Sequence, residues 1–230
     1  MKRIFNYFFR QDLEAQGCIV VVGDEIHHLS HVCVEQRKQK KLHVYQVLND
    51  AKYPSIHIEC QNPELTTIYV NLVNPVALKN LMQHIRQQAH HIELCIFQPG
   101  FKVLNEEDML SIQQVELQWK NTGLSAVSIS QIMIKHMLAQ RKGTFIFLGM
   151  QNKIISNADL LAQSMFASIR ALSQSLSREF HPKGIHIAYC ELETWHSQNQ
   201  PLMKSIHQLC WHIHKQPNST WSQEVSIRGL

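Results

Sequence analysis

The sequence predicts an α/β chain: one open, doubly wound parallel sheet held between two layers of helices. Three observations carry this. Short runs of continuous apolar, β-branched residues alternate with longer segments of helical periodicity, the pattern of repeated βαβ units. The strand candidates are apolar on both faces, as strands covered by helices must be. At 230 residues and 44% hydrophobic content, the chain suits one sizeable domain, with no linker, repeat or low-complexity stretch.

Taken in order, Ile4, Phe5, Phe8, Phe9 and Leu13 recur at helical steps, predicting a helix over 4–16 that ends at Gly17. Cys18 to Val22 is a doubly covered strand bounded by Gly17 and Gly23-Asp24, and residues 25–37 follow as a helix. Leu42 to Leu48 and Ile56 to Cys60 alternate at period two around Asn49-Asp50 and Pro54, which predicts a hairpin over 42–60. Thr67 to Leu72 is the next strand. Asn74 then caps a helix over 75–89, with Pro75 at its first position, where a missing N–H costs nothing. Further strands are expected at 92–97, 143–148, 184–190 and 221–227. Helices are expected at 106–118 with 122–141 (one long or broken helix), at 157–180 and at 203–214.

Composition excludes several functions. There are eight glycines, against about 16 in an average chain of this length. No two of them stand at the separations of G-x-G-x-x-G, G-x-x-x-x-G-K or G-x-S-x-G. No standard glycine loop for a nucleotide pyrophosphate is present. The net charge of +4 is too small to argue for nucleic acid, and the cluster Arg37-Lys38-Gln39-Lys40-Lys41 reads as a solvated loop. The six cysteines never approach C-x-x-C spacing and mostly sit in apolar runs, which favours reduced thiols and the cytoplasm. The apolar run after Met1-Lys2-Arg3 is too short for a signal peptide and is broken by Asn6. No stretch approaches the ~20 apolar residues of a membrane span. The fifteen histidines include the groups His27 with His31, His90 with His91, and Cys210 with His212 and His214. Neither H-E-x-x-H nor paired cysteines accompany them, so no metal is expected.

From 143 to 190 the chain reads GTFIFLGMQNKIISNADLLAQSMFASIRALSQSLSREFHPKGIHIAYC. This resembles the second half of the short-chain dehydrogenases/reductases, through Arg170-Ala171-Leu172, Gln174-Ser175-Leu176, Arg178-Glu179, Pro182 and Gly184-Ile185. Residues 216–225 are similar to the end of one atypical branch, and Ile92 to Gly100 to the fourth strand with its Asn-Ala-Gly turn. The resemblance implies a Rossmann-like fold, and a catalytic serine, tyrosine, lysine and asparagine in one cleft. In register those positions hold Gly149, Ala162, Phe166 and Lys120. No tyrosine in the chain is followed four residues later by lysine, so the reaction is excluded with its usual residues.

On the cofactor side, the resemblance matches Cys18 to Val22 with the second strand, which implies an N-terminally truncated sheet. Asp24 then stands as a vestigial ribose ligand and Asn71 as a vestigial adenine contact, while Asn-Ala-Gly becomes Gln98-Pro99-Gly100 and the Pro-Gly after the sixth strand becomes Leu192-Glu193. The missing strand is replaced either by the 42–60 hairpin or by residues 2–9; an edge hairpin is the third arrangement. In the family the helices at 106–141 and 157–180 form a four-helix interface between copies. Leu160, Leu161, Met165, Phe166, Ile169, Leu172 and Leu176 supply an apolar face wide enough for that role. A homo-oligomer, dimer or tetramer, is therefore expected, with a paralogous subunit as a further partner.

The expected function is that of a relative that has lost dehydrogenase chemistry and cofactor, and acts as scaffold, regulator or oligomer partner. The alternative is an NAD(P)-dependent oxidoreductase with a site rebuilt from Lys120, Asp24 or a histidine. Ser164 and Ser168 are further nucleophile candidates without a specifying pattern.

Overall fold

The computed structural model describes residues 16–23, 27–36, 42–88, 90–100, 111–150, 157–193 and 198–228. Eight strands form one sheet. They are β1 (Gln16–Val22), β2 (His43–Asn49), β3 (Ile56–Asn62), β4 (Leu65–Val70), β5 (His90–Phe97), β6 (Gly143–Met150), β7 (Ile185–Leu192) and β8 (Glu224–Ile227). Their order across the sheet is β3-β4-β2-β1-β5-β6-β7-β8. Seven run parallel; β3 alone is antiparallel, paired to β4 at the edge. The α/β, doubly wound expectation holds.

Two expectations tied to it do not. The 42–60 hairpin does not form, because β2 pairs in parallel with both β1 and β4 and does not touch β3. The hairpin is instead β3–β4, with Ile58 opposite Ile68 and only a two-residue turn between the strands. Period-two alternation identifies a strand but says nothing of its partner, which is set by what each strand face can bury. Nor does the sheet lack its central strand. β1 lies in the middle, hydrogen-bonded to β2 and β5, and is the first strand of a 3-2-1-4-5-6-7 parallel order rather than the second. Neither the hairpin nor residues 2–9 are needed as a substitute. The helix expected over 4–16 lies outside the described residues, except that Gln16 already belongs to β1.

Among the described residues, six α-helices cover the faces: α1 (His27–Gln36), α2 (Pro75–Gln87), α3 (Ile112–Trp119), α4 (Ser125–Gln140), α5 (Asn157–Phe180) and α6 (Gln200–Lys215). Leu29, Val32 and Cys33 of α1 pack with Leu202, Met203, Ile206 and Cys210 of α6 against Ile19, Val21, Leu94 and Ile146. On the other face, Leu78, Leu81 and Ile85 of α2, Ile129, Met133 and Met137 of α4 and Ile169 of α5 bury Val20, Cys95, Phe145 and Phe147. β1 contributes Ile19 and Val21 to one core and Cys18, Val20 and Val22 to the other, so a continuous apolar run is what its position demands.

Helix ends follow their local chemistry. Asn74 accepts hydrogen bonds from the backbone of Val76 and Ala77 ahead of Pro75, as its position predicts. Ser111 and Gln114 form a reciprocal capping box on α3. The long helix anticipated over 106–141 runs continuously from Ile112 to Gln140, with a π-helical turn at Lys120–Leu124. There the Ser125 hydroxyl donates to Lys120 O and the Thr122 hydroxyl to Gln118 O, each at 2.7 Å, satisfying carbonyls that the wider turn displaces. A 3-10 turn at His181–Lys183 closes on Gly184, whose φ of 82° is the left-handed conformation glycine adopts most cheaply.

Candidate functional site

In an open parallel sheet, ligands bind beyond the carboxyl ends of the strands, at the crevice where the strand order reverses. Here that point lies between β1 and β5. Gln98 N donates to Val22 O at 2.8 Å and Gly23 N to Val47 O at 3.0 Å, so the three central strands stay laced to their ends. Around the crevice stand Gly23, Asn49-Asp50 after β2, Asn71 after β4, Gln98-Pro99-Gly100 after β5 and Gly149 in β6.

The strand order moves the ribose-side candidate. Asp24 follows the central first strand, not the second, and its own placement lies outside the described residues. The second strand ends at Asn49-Asp50, residues that the sequence places in the turn of the expected 42–60 hairpin. Asn71 remains at the end of the third parallel strand, where it was expected. All three side chains accept from backbone N–H groups. Asn49 Oδ1 accepts from Leu72 N at 3.1 Å, Asn71 Oδ1 from Val73 N at 3.1 Å, and Asp50 Oδ1 from Lys52 N at 2.8 Å. The Asp50 and Asn71 bonds close local turns, whereas the Asn49 bond ties the end of β2 to the segment after β4.

Of the positions that the resemblance assigns to catalysis, the structure brings Gly149 and Phe166 together and places Ala162 one helical turn before Phe166. Ala162 and Phe166 are 2% and 4% exposed, so both are part of the packing. Gly149 is without a side chain for a physical reason: a Cβ there would overlap the hydroxyl and ring of Tyr189, from the neighbouring strand β7. The void between Gly149, Phe166, Leu148, Leu192, Gln98 and Pro99 is about 10 Å3. A single water needs roughly that volume.

Tyr189 is the residue sequence reasoning missed. It was legible only as a tyrosine without a following lysine; its contact with Gly149 arises from strand pairing. Burial, reinforced by Glu191, pushes its phenol above the ordinary range, with Arg170 opposing. A phenol that holds its proton more tightly is a poor general acid near neutrality.

Lys120 is exposed in the π-helical turn, whereas its neighbour Asn121 accepts from Asn49 Nδ2 at 3.5 Å across the crevice. An inserted residue in a helix rotates the following side chains, which a linear register cannot anticipate. Ser164 and Ser168 donate to Leu161 O and Met165 O of their own helix, each at 2.7 Å.

Many of the histidines gather instead at the opposite, amino edge of the sheet. His43 bonds Thr66 at 2.9 Å and stacks on His90, which bonds the Tyr45 hydroxyl at 2.7 Å. His214 bonds Thr144 at 2.9 Å and lies 3.6 Å from Glu93, which His91 also approaches at 3.4 Å. Burial pulls His84, His90, His136, His186 and His207 below the ordinary imidazole range, which favours their neutral form. Among the described residues, no three potential ligands converge as a metal site would require. Of the sequence groups, His31 is exposed, the His27 side chain lies outside the described residues, and Cys210 is buried in the core.

Glu93 is held down to about 2, chiefly by its polar contact with His214, with the charges of His214, Lys142 and His91 assisting and burial opposing. Its folded value lies below the ordinary 4.5. Its stabilisation is therefore present above that pH and is lost as pH falls toward 2. Glu93→Gln is expected to lower stability at pH 7 by about 2 kcal/mol. Urea midpoints measured from pH 7 to pH 2.5 should show the gap to the unmutated chain closing with acid. A constant gap contradicts the assignment.

No family model and no curated protein sequence matches the chain. Solved structures match its fold. A short-chain dehydrogenase from Rhodopseudomonas palustris superposes with a TM-score of 0.73 at 17% identity, covering 93% of this chain and 99% of that one. Serine dehydrogenase from Escherichia coli gives a TM-score of 0.70 at 12% identity, covering 91% and 96%. A short-chain oxidoreductase from Brucella ovis, in complex with a partially ordered NAD, gives 0.70 at 10% identity, covering 93% and 100%. At these identities the likeness is one of fold.

Proposed function

We propose that this protein is a degenerate relative of the short-chain dehydrogenases that uses the fold as a self-associating scaffold or regulatory partner and no longer reduces or oxidises a substrate. What supports the reading is the close packing among the described residues at positions 149, 162 and 166. Tyr189 occupies the space a serine side chain would need beside position 149, and Ala162 and Phe166 stand buried where the reaction requires a tyrosine and a lysine. Asn49, Asp50 and Asn71 are engaged by backbone N–H groups on the adenine side. Retention of those polar residues is the one feature that favours the alternative, an NAD(P)-dependent oxidoreductase with a rebuilt site.

Self-association is supported by exposed apolar side chains on α5 and on the helix segment packed beside it. Leu160 is 55% exposed and Ile112 75%, with Leu117 and Trp119 also open, and Thr122 Oγ1 joins this segment to Met165 Sδ of α5 at 3.1 Å. The free cysteines, five of them buried, fit a reducing compartment, and the cytoplasm is our placement. Among the described residues, no helix is long and apolar enough to cross a membrane.

One sedimentation experiment tests both parts. The chain is spun with NADPH and followed separately at the protein and nicotinamide absorbances. The expected result is a dimer or larger species carrying no nicotinamide signal. Co-sedimenting NADPH overturns loss of the cofactor. A monomer overturns self-association and directs the exposed apolar face to a paralogous subunit.

A further inference from the structure

Away from the crevice, helices α2 and α4 enclose an open groove of about 640 Å3. This volume lies within the range of small-molecule sites. Pro75 and the half-buried Ile132 provide apolar surface over Met82, which is 5% exposed at the groove floor, and Lys79, Arg86 and Lys135 bring three cations to the lining. Neither helix contains a single aspartate or glutamate over its 13 and 16 residues. In a chain with 22 basic and 18 acidic residues, this is a local imbalance that the overall charge conceals. No carboxylate in the lining competes for the three cations.

Arg86 is also oriented. Its Nε donates to Nδ1 of the largely buried His136 at 3.4 Å. Burial first, and the Arg86 charge second, hold His136 below the ordinary imidazole range, so its Nδ1 is an acceptor at neutral pH. A guanidinium bonded through Nε keeps its Nη donors for a planar carboxylate.

We propose that the α2–α4 groove binds a monoanionic amphiphile, a medium-chain acyl carboxylate, with its head among Arg86, Lys135 and Lys79 and its tail along Pro75 and Ile132, over Met82. The adaptable thioether of Met82 at the floor and the methylene stems of the basic side chains complete the apolar surface. Along α2 the 13-residue helix is roughly 20 Å long, enough for an extended chain of this class. The apolar surface argues against a strongly hydrated polyphosphate, which would lose its solvation there without full compensation. The proposal is independent of whether the crevice binds a dinucleotide.

Isothermal titration calorimetry with sodium decanoate, kept below micelle formation, tests it, with decan-1-ol and decyltrimethylammonium as neutral and cationic comparisons. Saturable binding of one decanoate per chain is expected, with the alcohol and the cation each roughly tenfold or more weaker. Arg86→Glu and, separately, Lys135→Glu should each weaken decanoate by a similar factor while circular dichroism stays native. Lys135 is at an exposed position, which keeps the test valid if Arg86→Glu disturbs the contact with His136. Absence of decanoate binding, equal binding of the three amphiphiles, or indifference to both reversals overturns the proposal.

Discussion

Gly149→Ala is expected to destabilise the protein by about 2–4 kcal/mol, although it adds one methyl group. The new Cβ would coincide with the hydroxyl and ring edge of Tyr189. That ring is 2% exposed and packed within the core that includes Phe145, Phe147 and Ile187, so it cannot swing away without displacing them. Relief must come from strand β6 or from β7, paired through Phe147 opposite Tyr189 and Gly149 opposite Glu191. Tyr189→Val removes the obstruction at the cost of a cavity, so the double variant should lose at least about 1 kcal/mol less than the two single losses combined. Urea denaturation of the four proteins measures this. A Gly149→Ala variant as stable as the unmutated chain would mean that the space beside position 149 is open, and the reading drawn from close packing there would fall with it.

The second large effect concerns a tyrosine and a lysine placed where the resemblance puts them. Ala162→Tyr with Phe166→Lys is expected to cost more than about 4 kcal/mol and to yield no carbonyl reduction with NADPH. Both positions are almost fully buried. A tyrosine at 162 overfills packed space, and a lysine at 166 replaces an aromatic ring with an ammonium. Burial disfavours the charged form, so such a lysine tends to shed its proton rather than steady a phenolate. Phe166→Lys alone, followed by its denaturation midpoint across pH, should recover stability as pH rises and the amine becomes neutral. Full stability together with NADPH oxidation in the double variant would instead establish that a working cleft needs only two side chains.

Both predictions depend on contacts that no linear motif encodes. The absence of a tyrosine followed by a lysine four residues on is legible in the sequence. How the space has been filled is not. Tyr189 lies 40 residues beyond Gly149 and meets it only because β6 and β7 pair side by side. Asn121 reaches toward Asn49 because a π-helical turn offsets the helix after Trp119. The cationic groove joins Lys79 and Arg86 to Lys135 across two helices. Local signals fared better where local chemistry decides: Asn74 with Pro75 starts α2, and the helix expected at 157–180 is observed with those limits.

By itself, then, the sequence determined most of the described strands and helices, that the central strands are buried on both faces, and that no tyrosine is followed by a lysine four residues on. Hydrophobic period, cap residues and residue identity are properties of short stretches, and each acts over a turn or two. Only the tertiary structure decided that Cys18 to Val22 lies at the centre of the sheet, that β3 pairs with β4 and not β2, and that the end of the second strand is Asn49-Asp50. Strands with similar apolar faces can be permuted on paper without changing any local signal. Their order is set by the simultaneous burial of both sheet faces under α1 and α6 on one side and α2, α4 and α5 on the other, a condition on the whole chain that no single segment carries.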